Sequence, residues 1–313
     1  MLAYIAKRLL ATIPVMVIVA GIVFGMLRVA PADPAAIIAG DNANAEQIAE
    51  IRVRLGLDRP MLVQFAIWST NALRGDFGES FFFKKQVSEL VLDRLEPTVS
   101  LALLTTILTV LVSVPIGVVA AYWQGSWIDR IVMGFSVLGF SIPVFVVGYA
   151  IIYVFAIRLN WFPVQGYQRI ALGVTPWFQR LVLPSITLSV VYIALIARIT
   201  RTSVLEVLNE DYIRTARAKG QTEFKVMTRH ALANAAIPII TVIGLGIALL
   251  IGGVVVTESV FAIPGLGRLT VDAVLARDFP TIQAVILLMS FVYVLINLLV
   301  DVAYTIFDPR IRY

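Results

Sequence analysis

The stretch Ala231–Thr257, ALANAAIPIITVIGLGIALLIGGVVVT, runs for 27 residues without an Asp, Glu, Lys, Arg or His. A helix rises about 1.5 Å per residue, so about 20 apolar residues cross the roughly 30 Å of hydrocarbon in a bilayer. Counting all such uncharged runs gives six candidates: Leu9–Leu27, Pro97–Gly125, Ile131–Ile157, Leu181–Ala197, Ala231–Thr257 and Phe279–Val300. The runs are continuously apolar, whereas the strands of a membrane barrel alternate. The sequence therefore predicts an all-α polytopic membrane protein with six transmembrane helices.

The composition is unlike that of a water-soluble protein. Of the 313 residues, 59% are hydrophobic and only 14% are charged, against roughly 25% charged residues in soluble domains. The absence of cysteine excludes disulfides and thiolate-bound metal, and the single histidine, His230, leaves little material for imidazole sites. The net charge of +5 needs no nucleic-acid partner to explain it, because the basic residues flank the predicted spans.

The first run follows Lys7 and Arg8, as the core of a signal peptide would. Its 19 uncharged residues exceed the roughly 7–15 of a signal sequence, and Ala30–Pro34 makes a poor cleavage site. We therefore interpret residues 1–30 as an uncleaved anchor helix. A loop region with short helices follows at 31–96, and a membrane core at 97–313.

The distribution of Lys and Arg predicts the orientation of the spans, because cytoplasmic loops are enriched in both. If the N-terminus is inside, the cytoplasmic segments carry 12 of these residues, seven of them in 198–230. The short loops 158–180 and 258–278 on the other side carry three and two. We expect both termini in the cytoplasm and the 31–96 region outside it.

Two short helices are expected in the 31–96 region. Asn44 and Gln47 have the spacing of a capping box, and Gly56 follows an apolar stripe that ends at Leu55. Pro60 can begin a second helix, whose apolar residues are Leu62, Phe65, Trp68 and Leu73. The region is either a cap packed on the outer ends of the spans or a surface that contacts a ligand or delivery protein, and the residues leave both interpretations open.

The basic segment 198–230 also contains helix signals. Asn209 or Asp211 can cap a helix start, and Lys219-Gly220 is a typical helix end. The resulting helix of about two turns is too short to be stable alone, so it needs support from its surroundings. Thr222 can cap a second piece, with Phe224, Met227 and Ala231 on one side. The segment is either a docking element or simply the basic loop that sets the topology.

The same segment resembles a known family. Asp211-Tyr-Ile-Arg-Thr-Ala-Arg-Ala-Lys-Gly220, with Arg229-His230-Ala-Leu and Ile237-Pro238 downstream, resembles the cytoplasmic signature of ABC importer membrane subunits, specifically the dipeptide/oligopeptide/nickel permease family. The wider importer class has Glu-Ala-Ala, three residues and Gly. Arg214-Thr215-Ala216 stands in that place here, which is the form of the peptide/nickel branch.

Other stretches along the chain are similar to the same branch. They are Leu55-Gly56-Leu57-Asp58-Arg59-Pro60, Gly75-Asp76-Phe77-Gly78 with Ser80, Glu96-Pro97-Thr98, Phe261-Ala-Ile-Pro264-Gly265-Leu-Gly267 and the terminal Asp308-Pro309-Arg310-Ile-Arg312-Tyr313.

The resemblance implies a type I ABC importer permease fold in the bacterial inner membrane. It implies a similar second permease, two cytoplasmic ABC ATPases and an extracytoplasmic substrate-binding protein as partners, with lipid around the spans. The helix before Gly220 would be the coupling helix that sits on one ATPase. The residues carried over as docking rather than catalytic positions are Asp211, Tyr212, Thr215, Ala216 and Gly220.

The expected function is the membrane-spanning permease subunit that forms half of the path for di- or oligopeptides. The chain lacks the Gly-x-x-x-x-Gly-Lys-Ser/Thr phosphate loop, so we expect no enzyme activity and no cofactor of its own, with ATP bound by the partner subunits. Import of a nickel chelate or another small solute is the alternative substrate. An ion-coupled secondary transporter is disfavoured because the six runs contain no ionisable residue. Glu258, just beyond the fifth run, is interpreted as a loop acid or as a guard of the path.

Overall fold

The computed structural model describes residues 2–29, 34–39, 44–54 and 56–307, and this part of the chain is almost entirely helical. Leu55 and the terminal motif at 308–313 lie outside the described residues. The α-helices are α1 Leu2–Val29, α2 Pro34–Ala39, α3 Ala45–Arg54, α4 Met61–Leu73, α5 Val87–Tyr122, α6 Trp127–Ser141, α7 Val144–Ile151, α8 Val174–Leu208, α9 Asp211–Ala218, α10 Glu223–Lys225, α11 Ala236–Val260, α12 Leu266–Leu275 and α13 Phe279–Phe307. Two π-helical turns follow α7 and α10, at Ile152–Arg158 and Val226–Leu232.

The six predicted spans all fall on helices. Within the described residues, α1, α5, α8, α11 and α13 are each long and apolar enough to cross a membrane. The third span, predicted as one run at 131–157, is instead a pair of helices, α6 and α7, bent by 108°. Between them Ile142 and Pro143 are extended, with ψ of 123° and 136°. Proline has no N–H to continue the hydrogen bonds of α6, so the helix ends before it.

The bent pair packs along α8, and its contacts run from the end of α8 towards its start. Asp129 in the first turn of α6 pairs with Arg201 of α8, and Gly139 lies against Ala194, where an added Cβ would be 2.7 Å from the alanine Cβ. Gly148 of α7 then lies against Thr187. The contacts advance from residue 201 to residue 187 of α8, as expected if α6 and α7 together make one crossing.

The chain forms two compact units, described here one at a time. The first comprises residues 1–5, 96–268 and 295–313, and the second comprises 6–95 and 269–294. The predicted division at residues 30/31 and 96/97 stays a prediction.

In the first unit, helices approach one another through small and hydroxyl-bearing residues. The buried positions of α5 recur every four residues, at Leu101, Thr105, Thr109, Ser113 and Gly117, while Leu103, Ile107 and Leu111 are exposed. A Cβ at Gly117 would lie 2.6 Å from the Cβ of Thr200 on α8. Small residues inside and large apolar residues outside are typical of helices packed in lipid.

In the second unit, the capping box predicted for α3 is confirmed. The Asn44 N–H donates to Gln47 Oε1 at 3.0 Å, and the Gln47 N–H donates to Asn44 Oδ1 at 2.8 Å. The helix predicted to begin at Pro60 is α4, for which Pro60 is the N-cap. Phe65 and Trp68 pack against Phe24 of α1, with ring centroids 5.3 and 5.6 Å apart. The other two large apolar residues named for this helix, Leu62 and Leu73, are exposed.

A buried carboxylate organises the end of α12 in the second unit. Asp278 accepts hydrogen bonds from the Ser80 hydroxyl, from the Phe81 N–H at 3.0 Å and from the Thr281 hydroxyl at 2.7 Å. Asp278 and Ser80 are both buried, with 1% or less of their surface exposed to solvent. The Gly75–Ser80 motif therefore belongs to a loop that is tied to the α12–α13 turn.

Candidate functional site

The segment between α8 and α11 holds all five residues predicted to dock an ATPase. The eight-residue α9 begins three residues after α8 ends, and Ile213 is its only buried residue, with no exposed surface. The five predicted residues lie around it: Asp211, Tyr212, Thr215 and Gly220 are exposed and Ala216 is half-buried. One apolar anchor thus holds a short helix whose remaining surface is open, which is the support that its length requires.

Gly220 ends α9 in a Schellman motif, as its sequence predicted. Its φ is +76°, a left-handed conformation that costs other residues about 1–2 kcal/mol. The Gly220 N–H donates to the Arg217 carbonyl at 2.9 Å, and the Gln221 N–H donates to the Ala216 carbonyl at 3.2 Å. These are the two bonds that define the motif. Among the described residues, no atom lies within 4 Å of the position that a Cβ would take.

The helix start differs from the prediction. Asn209 belongs to the end of α8, where its side chain donates to the Leu205 carbonyl at 3.1 Å. Asp211 lies in the first turn of α9 and forms an ion pair with Arg214 at 3.0 Å. The N-cap is Glu210, and no side-chain bond caps this end in the described structure. Both candidate caps were wrong because α8 extends further than its apolar run.

Arg217 joins α9 to the next helix. Its Nε and Nη2 donate to the two carboxylate oxygens of Glu223 at 2.9 and 3.2 Å. A bidentate pair of this kind fixes geometry better than a single contact, although partial exposure limits its contribution to stability. Arg214 and Arg217 therefore have partners within the segment itself.

Phe224 lies on the opposite side from the one that the sequence predicted. It was assigned to the same side as Met227 and Ala231, which are buried, but it is 77% exposed. The π-helical turn that begins at Val226 changes the spacing, so a 3.6-residue period no longer applies. Tyr212, 43% exposed, is a second aromatic residue on this surface. Burial and the Glu210 carboxylate raise the pKa of its hydroxyl, which stays protonated.

An apolar cluster packs against the segment between α8 and α11. Met227 and Ala231 of the π-helical turn pack in one cluster with Val204 of α8, Ala121 of α5 and Ile239 of α11. The segment that follows α9 is therefore packed against three spans.

A second motif, Phe261–Gly267, lies at the opposite end of α11. Glu258, interpreted from the sequence as a loop acid, is fully buried within α11. It accepts a hydrogen bond from the Thr98 hydroxyl at 2.6 Å and from the Arg268 N–H at 2.9 Å. Thr98 in turn accepts from the Leu266 N–H at 2.8 Å. The carboxylate and the hydroxyl thus bind the first N–H groups of α12, where a negative charge is favourable.

The loop before α8 closes over the same end. The Glu96 carboxylate accepts hydrogen bonds from the Tyr167 hydroxyl and the Ile170 N–H, both at 3.0 Å. Burial raises the pKa of the Tyr167 hydroxyl, so it remains a donor. The Gly166 N–H also donates to the Phe261 carbonyl at 2.9 Å. This end of the unit is a closed polar network, in contrast to the open surface around α9.

An all-α, multi-span membrane protein with a short, exposed helix between two of its spans fits the class of transporter membrane subunits. The family described as "Binding-protein-dependent transport system inner membrane component" matches residues 113–313, and its N-terminal companion matches residues 1–102. The chain belongs to this family of ABC importer permeases. It is therefore a multi-pass inner-membrane protein, and the predicted family is confirmed.

Named relatives and a solved structure agree with this assignment. The chain is 57% identical over 310 residues to "Probable peptide ABC transporter permease protein y4tP" of Sinorhizobium fredii, covering 99% of both chains. It is 46% identical over 313 residues to the glutathione transport system permease protein GsiC of Salmonella choleraesuis, covering all of both. A chain of the MetNI methionine ABC transporter in an inward-facing conformation superposes with a TM-score of 0.57 at 18% identity, over 70% of this chain and 96% of that one. That similarity confirms the predicted fold of an ABC importer permease.

Proposed function

We propose that this permease carries peptides of the di- or oligopeptide class, and that α9 is the helix through which an ATPase drives it. The exposed α9 surface, whose one buried side chain is Ile213 and whose end is formed by an unobstructed Gly220, is the observation that carries the proposal. The names of the relatives, a peptide permease and a glutathione permease, support the substrate class.

The proposed complex contains four further polypeptides. A second, similar permease completes the path, two cytoplasmic ABC ATPases supply the energy, and a substrate-binding protein delivers the peptide. This chain contains no phosphate-loop motif, so ATP is bound by the partners and the chain itself is not an enzyme. Purified alone, it should neither bind nor hydrolyse ATP.

The exposed aromatic residues of this chain are the proposed anchors on the ATPase. Aromatic side chains supply much of the binding energy at interfaces, provided that they become buried there. Tyr212 and Phe224 fit that role, and Thr215 and the small Ala216 allow a close approach between them. Asp211 pairs with Arg214 within α9 and helps to orient its first turn.

The proposed orientation places α9 in the cytoplasm, together with both termini. Because the chain has no native cysteine, single cysteines can be labelled in intact cells with a reagent that does not cross the membrane. Arg217→Cys should be protected, whereas Leu62→Cys, 83% exposed in α4, should react. Labelling of residue 217 from outside would contradict the orientation.

The transport proposal is tested with the complete complex in proteoliposomes. Uptake of a labelled tripeptide should require the binding protein and ATP. A mixed pool of di-, tri- and pentapeptides, glutathione and a nickel chelate then defines the substrate class. Capture and uptake of the nickel chelate alone would refute peptide transport.

A further inference from the structure

Helices α6 and α8 are joined at one end of α6 by an ion pair, in which Asp129 is buried and Arg201 is partly exposed. Asp129, 4% exposed, receives Arg201 Nε on one carboxylate oxygen and Arg201 Nη2 on the other, the latter at 2.7 Å. The Gly125 N–H donates to the same carboxylate at 2.9 Å. The fork of Arg201 therefore fixes both the distance and the orientation between the two helices.

Helical continuity does not hold α6 in place. Before it, the chain turns at Gly125, with φ +77°, and after it, Ile142 and Pro143 are extended. The position of α6 is thus set by what it contacts on α8. Those contacts extend along α6 and include the ion pair at Arg201 and, ten residues along α6 or about 15 Å, the close approach of Gly139 to Ala194.

The same helix, α8, leads directly into the coupling segment. Arg201 lies seven residues before the end of α8 at Leu208, and α9 begins at Asp211. Ile213 is fully buried, so α9 is held to the body of the unit, and only two residues separate α9 from the end of α8. A buried ion pair contributes little net stability compared with an apolar pair. The ion pair differs from an apolar pair in that its two hydrogen bonds fix the direction of the contact.

We propose that Asp129 and Arg201 are positioning residues of the transport cycle, which make α6 move together with α8 and α9 when the ATPase moves the coupling helix. The proposal rests on the proposed function, since it assumes that α9 receives that movement. Without the pair, α6 would keep its apolar packing but lose its fixed register on α8.

Two variants separate this role from a purely structural one. Asp129→Asn leaves Arg201 with a neutral partner. The double variant Asp129→Leu/Arg201→Met replaces the pair with apolar side chains, a change that usually preserves stability. For the double variant we expect normal membrane levels and an unchanged thermal transition of the complex, but about tenfold less peptide transported per ATP hydrolysed. The proposal would be overturned if the complex with the double variant transported as much peptide per ATP hydrolysed as the wild-type complex. It would also be overturned if neither variant assembled with its partners.

A distance measurement gives a readout that does not depend on the substrate. Spin labels at Trp127→Cys on α6 and Gln221→Cys beside α9 should give one narrow distance distribution, with and without ATP, when the pair is present. In the Asp129→Leu/Arg201→Met background the distribution should broaden or shift on addition of ATP. An identical response in both backgrounds would contradict the proposal. If the wild-type complex takes up no peptide, the proposed function fails, yet this measurement still tests the ion pair.

Discussion

Two glycine-containing motifs, one that ends α9 and one that follows α11, have opposite surroundings. Gly220 has a positive φ and open space where a Cβ would lie. At Gly265 an added Cβ would collide with the Glu258 carboxylate, and at Gly267 it would lie 2.6 Å from the Val255 Cα. Gly220 is required by the conformation of its backbone. Gly265 and Gly267 are required because no space is available for a side chain.

The difference separates an open surface from a closed part of the fold. Around Gly265 the side chains of Glu258 and Thr98 bind the start of α12. Around Gly220 the helix is complete and its outer face is free. We infer that changes at Gly265 act on folding, whereas changes at Gly220 act on the interaction with the ATPase.

The largest effect is expected for Gly265→Ala. The methyl group must displace the Glu258 carboxylate or the backbone, and overpacking of this kind costs about 3 kcal/mol at the upper end of the usual range. The membrane level and the thermal transition of the purified complex should both fall. Gly252→Ala is the matched control, because no atom lies within 4 Å of its added Cβ among the described residues. Equal stability of the two variants would contradict the steric role of Gly265.

Glu258→Gln should have the next largest effect on stability. The amide keeps the shape but loses the charge that accepts from Thr98 and Arg268, and a bond to a charged group contributes about 1.5–3 kcal/mol. The thermal transition should decrease, and Thr98→Val should lower it as well. Since both residues bind the same helix start, the two effects should be less than additive. Full additivity in the double variant would show that they act independently.

For Gly220→Val we expect a smaller loss of stability but a large loss of coupling. The left-handed backbone costs valine about 1–2 kcal/mol, and α9 has few contacts to resist displacement. The complex should assemble, while transport and binding-protein-stimulated ATPase activity are lost. Gly220→Asn should be milder, since asparagine tolerates this conformation better. Wild-type coupling in the valine variant at equal expression would contradict the role of α9.

The smallest effect on stability is expected for Phe224→Ala. At 77% exposure the ring contributes little to folding. The free energy of unfolding of the isolated chain should therefore stay within about 0.5 kcal/mol of the wild-type value. Binding of the ATPase should nevertheless weaken about tenfold or more, as for an aromatic interface anchor. Phe178→Ala, exposed on α8 at 47%, serves as the control. Unchanged ATPase affinity would remove Phe224 from the interface.

The features that sequence predicted well depend on neighbouring residues. The capping box of Asn44 and Gln47 and the helix end at Gly220 are local hydrogen-bond patterns, and the six spans follow from length and apolar content alone. The break at Pro143 was harder, because proline in a span can also be accommodated as a kink.

The features that sequence missed depend on residues far apart in the chain or on irregular spacing. Glu258 is 160 positions from Thr98, and no local pattern joins them. Phe224 was placed on the wrong side because the π-helical turn after it shifts the register. Asp129 and Arg201 are 72 positions apart, and the sequence predicted no role for Asp129 and counted Arg201 only among the basic residues of 198–230.

The most direct test of the central claim is a cross-link between α9 and the ATPase. In the cysteine-free chain, Thr215→Cys on α9 and Ser259→Cys at the other end of α11 are both exposed positions, and each can carry a photoactivatable maleimide. After irradiation of the assembled complex, residue 215 should be joined covalently to an ATPase subunit, and residue 259 should not. An adduct at residue 259 but none at residue 215 would contradict the assignment of α9 as the ATPase-docking helix.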